Sequence, residues 1–554
     1  MDKLFLVAML AVVFITIVGI GAYNNKNQLQ FIMQKIKGSY GNKPIREYAD
    51  GEYRHIAGYF NNHKGDYHVD DITWNDLSMD DIFMDMNHCQ SSAGEEYLYY
   101  MLRTPDMETR DKSRMEKQIS FYAANDDKRL DMQMALFKCG RTGKYSIYDY
   151  LNNLDVIADK NANQDIWLLL LYAASIVVCF VSLKMGILSL AVLLMYGGVA
   201  YFKTKRDIEP YITSFAYVFR ILSGARTLCA VSDDCIDEEK EKLRELTKSL
   251  KKFERFSYLI MSKNSGTGNL AELILDYVRI FFHVDIIKFF NMRDEISRHW
   301  DDIDEMLTVM GQLDATVAIT CYRAYLGDYS IPEWSEDTLT AKGLYHPLLS
   351  NPVANDVELE KGILLTGSNA SGKSTMLKAV TVAAIMAQSI NTVPALAYKA
   401  PHYRVYTSLA LNDDILAGES YYMTEIKSLK RIIDAGKDTS VPILACVDEV
   451  LRGTNTIERI SASSVILRNL SAVNGRILAA THDLELADIL ADVYDNYHFE
   501  ETVEGDDILF AYKMLPGKAT TRNAIKLLEI VGYDKEITDE AQALAKKYEE
   551  TGSF

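Results

Sequence analysis

The chain has 554 residues, with 77 acidic against 59 basic side chains and a formal charge of −18. That length suggests three or four units rather than one domain, and 48% hydrophobic with 25% charged residues excludes a wholly disordered chain. So acidic a balance also excludes a bulk nucleic-acid coat, which needs clustered Lys and Arg, while leaving room for a local basic groove.

Residues 4–20, LFLVAMLAVVFITIVGI, carry no charge and approach the length of about 20 residues that crosses a bilayer. The run is long for a signal-peptide core and ends without the usual Ala pair, so residues 1–22 are expected to be an uncleaved anchor. Residues 166–183 and 186–202 form a second and third apolar run, separated only by Lys184 and Met185. They predict a membrane hairpin with a tight turn, with Trp167, Tyr196 and Tyr201 at the aqueous interfaces. Basic residues follow the first run (Lys26, Lys35, Lys37, Lys43, Arg46) and the third (Lys203, Lys205, Arg206). Positive charge on the inner side puts both soluble regions in the cytoplasm of a bacterial inner membrane. Seven scattered Cys without a CxxC pair agree with a reducing compartment.

The soluble regions read as helical before residue 340. Residues 94–102 predict a helix stopped at Thr104-Pro105, and residues 238–256 predict a charged, solvated helix. From Lys361 short β-branched runs alternate with helical stretches, the sign of a parallel α/β sheet, with strands expected at 363–366, 443–447 and 477–480.

Gly367-Ser368-Asn369-Ala370-Ser371-Gly372-Lys373-Ser374 fits GxxxxGK[ST]. It follows the apolar strand GILLT and opens a helix over 375–388, the context in which backbone N–H groups and a helix N-terminus cradle phosphate. Lys373 would then reach the β- and γ-phosphates of ATP, and Ser374 would ligate Mg²⁺. A second apolar strand ends in Asp448-Glu449, where Asp448 would hold Mg²⁺ through water and Glu449 would polarise the attacking water. A third delivers His482 to the same sheet edge, within reach of a γ-phosphate.

These runs together, TGSNASGKST (366–375), LNDDILAGESYYMTEI (411–426), DEVLRGTNT (448–456) and ATHDLEL (480–486), with Tyr345-His346-Pro347-Leu348 upstream and Gly517-Lys518-Ala519-Thr520 downstream, resemble the ATPase domain of the MutS mismatch-repair family. The resemblance covers roughly 340–550, takes in Thr375 with the phosphate loop, and separates the chain from ABC transporters. It implies an ABC-type P-loop domain at 341–554 and a homodimer in which Ser420 completes the other subunit's ATP site. A weaker likeness over about 70–135 implies an all-α MutS-like core divided between the cytoplasmic regions 23–165 and 203–340, with the hairpin 166–202 inserted between them. Residues 23–70 are too short for the family's mismatch-reading domain and hold no Phe-x-Glu. Ala417, Glu419 and Leu451 stand where the family usually has Ser, Arg and Gly, and Glu419 puts an acid near the expected trans phosphates. Two readings stay open: a membrane-anchored ATPase that binds DNA, or an ATP-driven switch acting on a protein or membrane client. Transport is the poorer fit, since three apolar helices without an internal charge offer little pathway.

Overall fold

The computed structural model describes residues 23–551 except 106–110, 153–161, 252–269, 410–420, 520–524 and breaks of one or two residues, 369–370 among them. The first apolar run, 4–20, lies outside the described residues. The chain divides into two compact units. A helical unit takes residues up to 63, 86–100 and 113–324; a second unit takes 64–85, 101–112 and 325 onward.

The helical unit is organised around the helix Trp300–Leu326, whose side chains from Leu313 to Arg323 are all buried. At its middle, fully buried Asp314 accepts from Gln90 N (3.0 Å), Ser91 N (2.8 Å) and Ser91 Oγ (2.6 Å). A buried carboxylate needs such donors, and here they also fix the entry to the helix Ser92–Arg103. This helix ends before Pro105, as the sequence predicts. Gly311 lets the two helices close up, because a Cβ there would lie 2.7 Å from the Ala93 carbonyl oxygen.

The apolar hairpin is present, with its turn moved. Helices Asn163–Val181 and Leu183–Cys229 leave only Ser182 between them, whereas the sequence put the turn at Lys184-Met185. Gly186 explains the shift: any Cβ there would sit 2.4 Å from Cys179 Sγ, so the helices meet one turn after Ser182. The second helix also runs beyond Phe202 to a length of 47 residues. Both helices are long and apolar enough to cross a membrane, and Phe180, Val181 and Met195 are exposed. Tyr201 corrects an expectation. It is buried and donates to Asp285 (3.0 Å) instead of lying at an interface, because a buried Asp285 needs the hydroxyl and the Lys205 ammonium beside it. Of the charged helix expected over 238–256, Asp237–Ser249 is helical, and residues 252–256 fall outside the described residues.

The second unit holds two sheets. Strands β1 (Glu333–Trp334), β2 (Leu339–Leu344), β3 (Asn355–Leu359) and β5 (Ala397–Ala400) form a four-stranded sheet in the order β1-β5-β2-β3. Strands β4 (Gly362–Thr366), β6 (Arg404–Ser408), β7 (Ile443–Asp448), β8 (Gly475–Thr481), β9 (Tyr494–Glu504) and β10 (Asp507–Pro516) form the other, in the order β10-β9-β4-β8-β7-β6. Only β10 runs antiparallel to its neighbour. The three predicted strands are β4, β7 and β8, the central ones. Their unbroken apolar runs are buried, as a parallel sheet covered on both faces requires. The helix Lys373–Ile390 buries nearly every side chain against it.

Residues 64–85 and 101–112, read in the sequence as part of the N-terminal helical region, belong to this unit. Asp76 accepts from Thr407 Oγ1 (2.7 Å) and Leu409 N (2.9 Å), and Tyr67 Oη accepts from Val405 N (2.5 Å). An N-terminal segment thus satisfies the backbone of edge strand β6.

Candidate functional site

Strand β4 delivers the phosphate loop, and the helix Lys373–Ile390 begins at its end. Gly367 (φ +143°) and Gly372 (φ +108°) adopt backbone conformations that favour glycine. A Cβ at Gly367 would lie 3.0 Å from the Phe499 carbonyl oxygen. Lys373 folds back over the loop, its Nζ donating to the carbonyls of Gly367 (2.7 Å) and Ser368 (2.8 Å). Burial lowers its pKa, while Glu449, Asp448 and Glu501 oppose that shift. Ser368 Oγ donates to Glu501 Oε2 (2.5 Å). Asn369 and Ala370 lie outside the described residues. Thr375 is exposed on the first helical turn.

Asp448 and Glu449 stand where β7 ends. Ser374 Oγ donates to Asp448 Oδ2 (2.5 Å), while Asp448 Oδ1 is buried with no hydrogen-bond partner among the described residues. Burial raises the Asp448 carboxyl, partly offset by Ser374. A buried orphan carboxylate oxygen beside a serine hydroxyl suits a hard, oxygen-loving cation, so these residues fit Mg²⁺. Ser371 Oγ is likewise buried without a partner, as fits a loop built to receive phosphate oxygens.

Glu449 takes φ +53°, which turns its side chain out of the strand direction. It is ion-paired with Arg452 and lies 3.4 Å from His482 Nδ1. Burial alone would push its carboxyl up, but His482 and Arg452 outweigh it and hold the carboxyl at about 2. Reciprocally, Glu449 raises the pKa of His482. Asp483, just after β8, accepts from Nε (2.9 Å) and Nη2 (2.7 Å) of Arg459. The structure therefore brings Lys373, Ser374, Asp448, Glu449 and His482 to one sheet edge. Ser420, expected to complete the other subunit's site, lies outside the described residues.

Sequence reasoning missed part of the wall. A cavity of about 480 Å³ opens beside the loop, bounded by Lys373, Ser374 and Glu449 and also by His346, Arg452, Phe499 and Tyr512. Tyr512 sits at φ +50° in a register shift between β9 and β10. Asn355 holds that bulge, donating to the Tyr512 carbonyl (3.0 Å) and accepting from Met514 N (2.8 Å). The bulge sets the ring against Gly372, where a Cβ would be 3.2 Å from Tyr512 Cδ1. A bulge leaves little trace in composition, so only the register of two strands could have revealed it. His346 belonged to a quoted motif without a role; burial lowers it to about 4, leaving a neutral ring on the cavity wall. Leu451, the residue noted in place of Gly, does take a glycine-like φ of +60°, and its side chain is buried in the core beside β7.

Residues 363–549 match the family model of MutS domain V. Among curated proteins, the DNA mismatch repair protein MutS of Natronomonas pharaonis is 31% identical over 306 residues, covering 53% of this chain and 35% of that protein. MutS protein homolog 4 of Mus musculus is 32% identical over 284 residues, covering 47% and 29%. The DNA mismatch repair protein MutS of Thermotoga maritima is 26% identical over 314 residues, covering 53% and 38%. The matched part of the chain spans about a third of the length of these relatives.

Proposed function

Residues 363–549 are a MutS domain V, an ATPase domain, which makes the chain a MutS-family protein; from that premise we propose that it binds and hydrolyses ATP with Mg²⁺, as a dimer held in the cytoplasmic membrane. The observation that carries this reading is the convergence of five side chains on one sheet edge: Lys373, Ser374 and Glu449 line the cavity, with Asp448 bonded to Ser374 and His482 beside Glu449.

Lys373 supplies a fixed positive charge to the β- and γ-phosphates, already steered by the carbonyls of Gly367 and Ser368. Ser374 and Asp448 hold Mg²⁺, which when bound neutralises charge on the phosphates. Glu449, ionised at neutral pH, accepts a hydrogen bond from the attacking water and orients it. Phosphoryl transfer asks mainly for positioning, so a carboxylate too acidic to be a strong base still serves. His482 keeps Glu449 aimed and lies where a γ-phosphate oxygen can meet it. The Tyr512 and His346 walls offer flat surfaces to the nucleotide. Ser420 of each subunit completes the other's site.

The client is DNA in the first reading, supported by the mismatch-repair names of the relatives. The exposed apolar hairpin favours a second, in which ATP-driven closure acts on a membrane or protein partner. The test is DNA binding by the detergent-purified full-length protein at two salt concentrations, with and without ATP. Affinity that falls steeply with salt and responds to ATP supports DNA. Absence of binding at low salt, with ATPase activity intact, supports the second reading.

A further inference from the structure

Ser368, the second residue of the phosphate loop, is gripped at both ends. Its carbonyl takes the Lys373 ammonium at 2.8 Å, and its hydroxyl donates to Glu501 at 2.5 Å. Glu501 is 7% exposed on β9, where its backbone is set by pairing with Phe510 of β10. It is thus a third carboxylate at the loop, and its placement differs from that of the other two. Asp448 meets Ser374 at the cation position, and Glu449 borders the cavity. Glu501 is not among the residues that line the cavity, whereas Ser368, whose hydroxyl it accepts from, is; its charge therefore meets the site through Ser368.

The lysine ammonium marks where the β- and γ-phosphates end. Ser368 carries that ammonium on its carbonyl and therefore flanks the terminal phosphate. A negative charge fixed behind Ser368, in a water-poor setting, opposes the additional charge that ATP carries over ADP. We propose that Glu501 is a specificity-determining residue that weakens the preference of this site for ATP over ADP. It does so by charge and not by contact, and it keeps the loop from being held in the triphosphate state. The inference rests on the ATP-binding reading above.

The experiment is titration calorimetry of the full-length, detergent-purified protein with Mg-ATP and Mg-ADP. Glu501→Gln keeps an acceptor for the Ser368 hydroxyl and removes the charge. It is expected to raise the ATP-to-ADP affinity ratio at least about threefold, mainly through tighter ATP. Glu501→Asp, which keeps the charge, is expected to stay near the wild-type ratio. Glu501→Met, also uncharged, is the substitute if the amide variant does not fold. A ratio that is unchanged or displaced toward ADP in the uncharged variant, with wild type binding both nucleotides, overturns this inference alone. A wild type that binds neither nucleotide overturns the ATP reading and this inference with it.

Discussion

Glu449→Gln keeps the side chain's shape and removes one charge. In the native protein His482 and Arg452 hold this carboxyl at about 2 instead of the usual 4.5. At about 1.36 kcal/mol per pH unit that gap corresponds to about 3 kcal/mol of native stability. Both partners are nearly half exposed, so solvent screening cuts the figure to about 1–2 kcal/mol. The folded value lies below the ordinary one. The contribution is therefore present above pH 4.5 and is lost as pH falls toward 2, and the variant is less stable than wild type at neutral pH. Loss of the water-orienting acceptor is expected to lower kcat by about 10²–10⁴-fold, with the Kd for Mg-ATP within about threefold of wild type. Single-turnover hydrolysis and calorimetry on the same preparation separate the two effects. His482 gives an independent readout: without its anionic partner, its pKa drops. Wild-type turnover in Glu449→Gln, or a loss of binding parallel to the loss of turnover, would refute the assigned role.

Further outcomes concern the helical unit and the hairpin. Burial pushes Glu96 up to about 8, against the Ser146 hydroxyl and Tyr59 N–H that it accepts from. Its folded value is raised, so its contribution to stability is full below pH 4.5 and is lost as pH rises through 8. The urea midpoint of wild type should decline over that window and that of Glu96→Gln should decline less; parallel curves would argue against a buried, raised carboxyl. Gly311→Ala puts a methyl 2.7 Å from the Ala93 carbonyl oxygen and 2.8 Å from Tyr97 Cβ. The helix crossing must open, at a cost of about 1–3 kcal/mol, and an unchanged melting temperature would show that the helices do not pack this closely. The hairpin should bring purified protein to the top of a gradient with phospholipid vesicles at high salt. A protein lacking 163–202 that floats as well would place the membrane contact elsewhere.

What the sequence disclosed follows from where each signal is stored. Strands β4, β7 and β8 are buried runs inside a parallel sheet, so hydrophobicity alone marks them, and each ends at a residue of the site or one residue before it. The edge pair β9 and β10 lacks that continuous pattern, and with it went Phe499, Glu501 and Tyr512. Tyr512 reaches the cavity only through a bulge pinned by Asn355, a contact across 157 residues of chain. Asp76 is a similar case, since its role on β6 depends on a partner more than 300 residues away. The hairpin was legible from composition, but its turn was set by the close approach at Gly186 and not by the one charged residue, Lys184. Leu451 shows a local rule overridden: a glycine-like backbone angle is tolerated where the leucine side chain fills the core beside β7.

The central claim is that the cavity beside Lys373 receives Mg-ATP. The most direct measurement is calorimetric titration of the full-length protein with Mg-ATP, beside Lys373→Ala and Asp448→Asn. Saturable binding by wild type is expected, with loss of at least about tenfold in affinity for Lys373→Ala and loss of the Mg²⁺ dependence in Asp448→Asn. Wild-type protein that does not bind Mg-ATP, or a Lys373→Ala variant that binds it as tightly, would contradict the account.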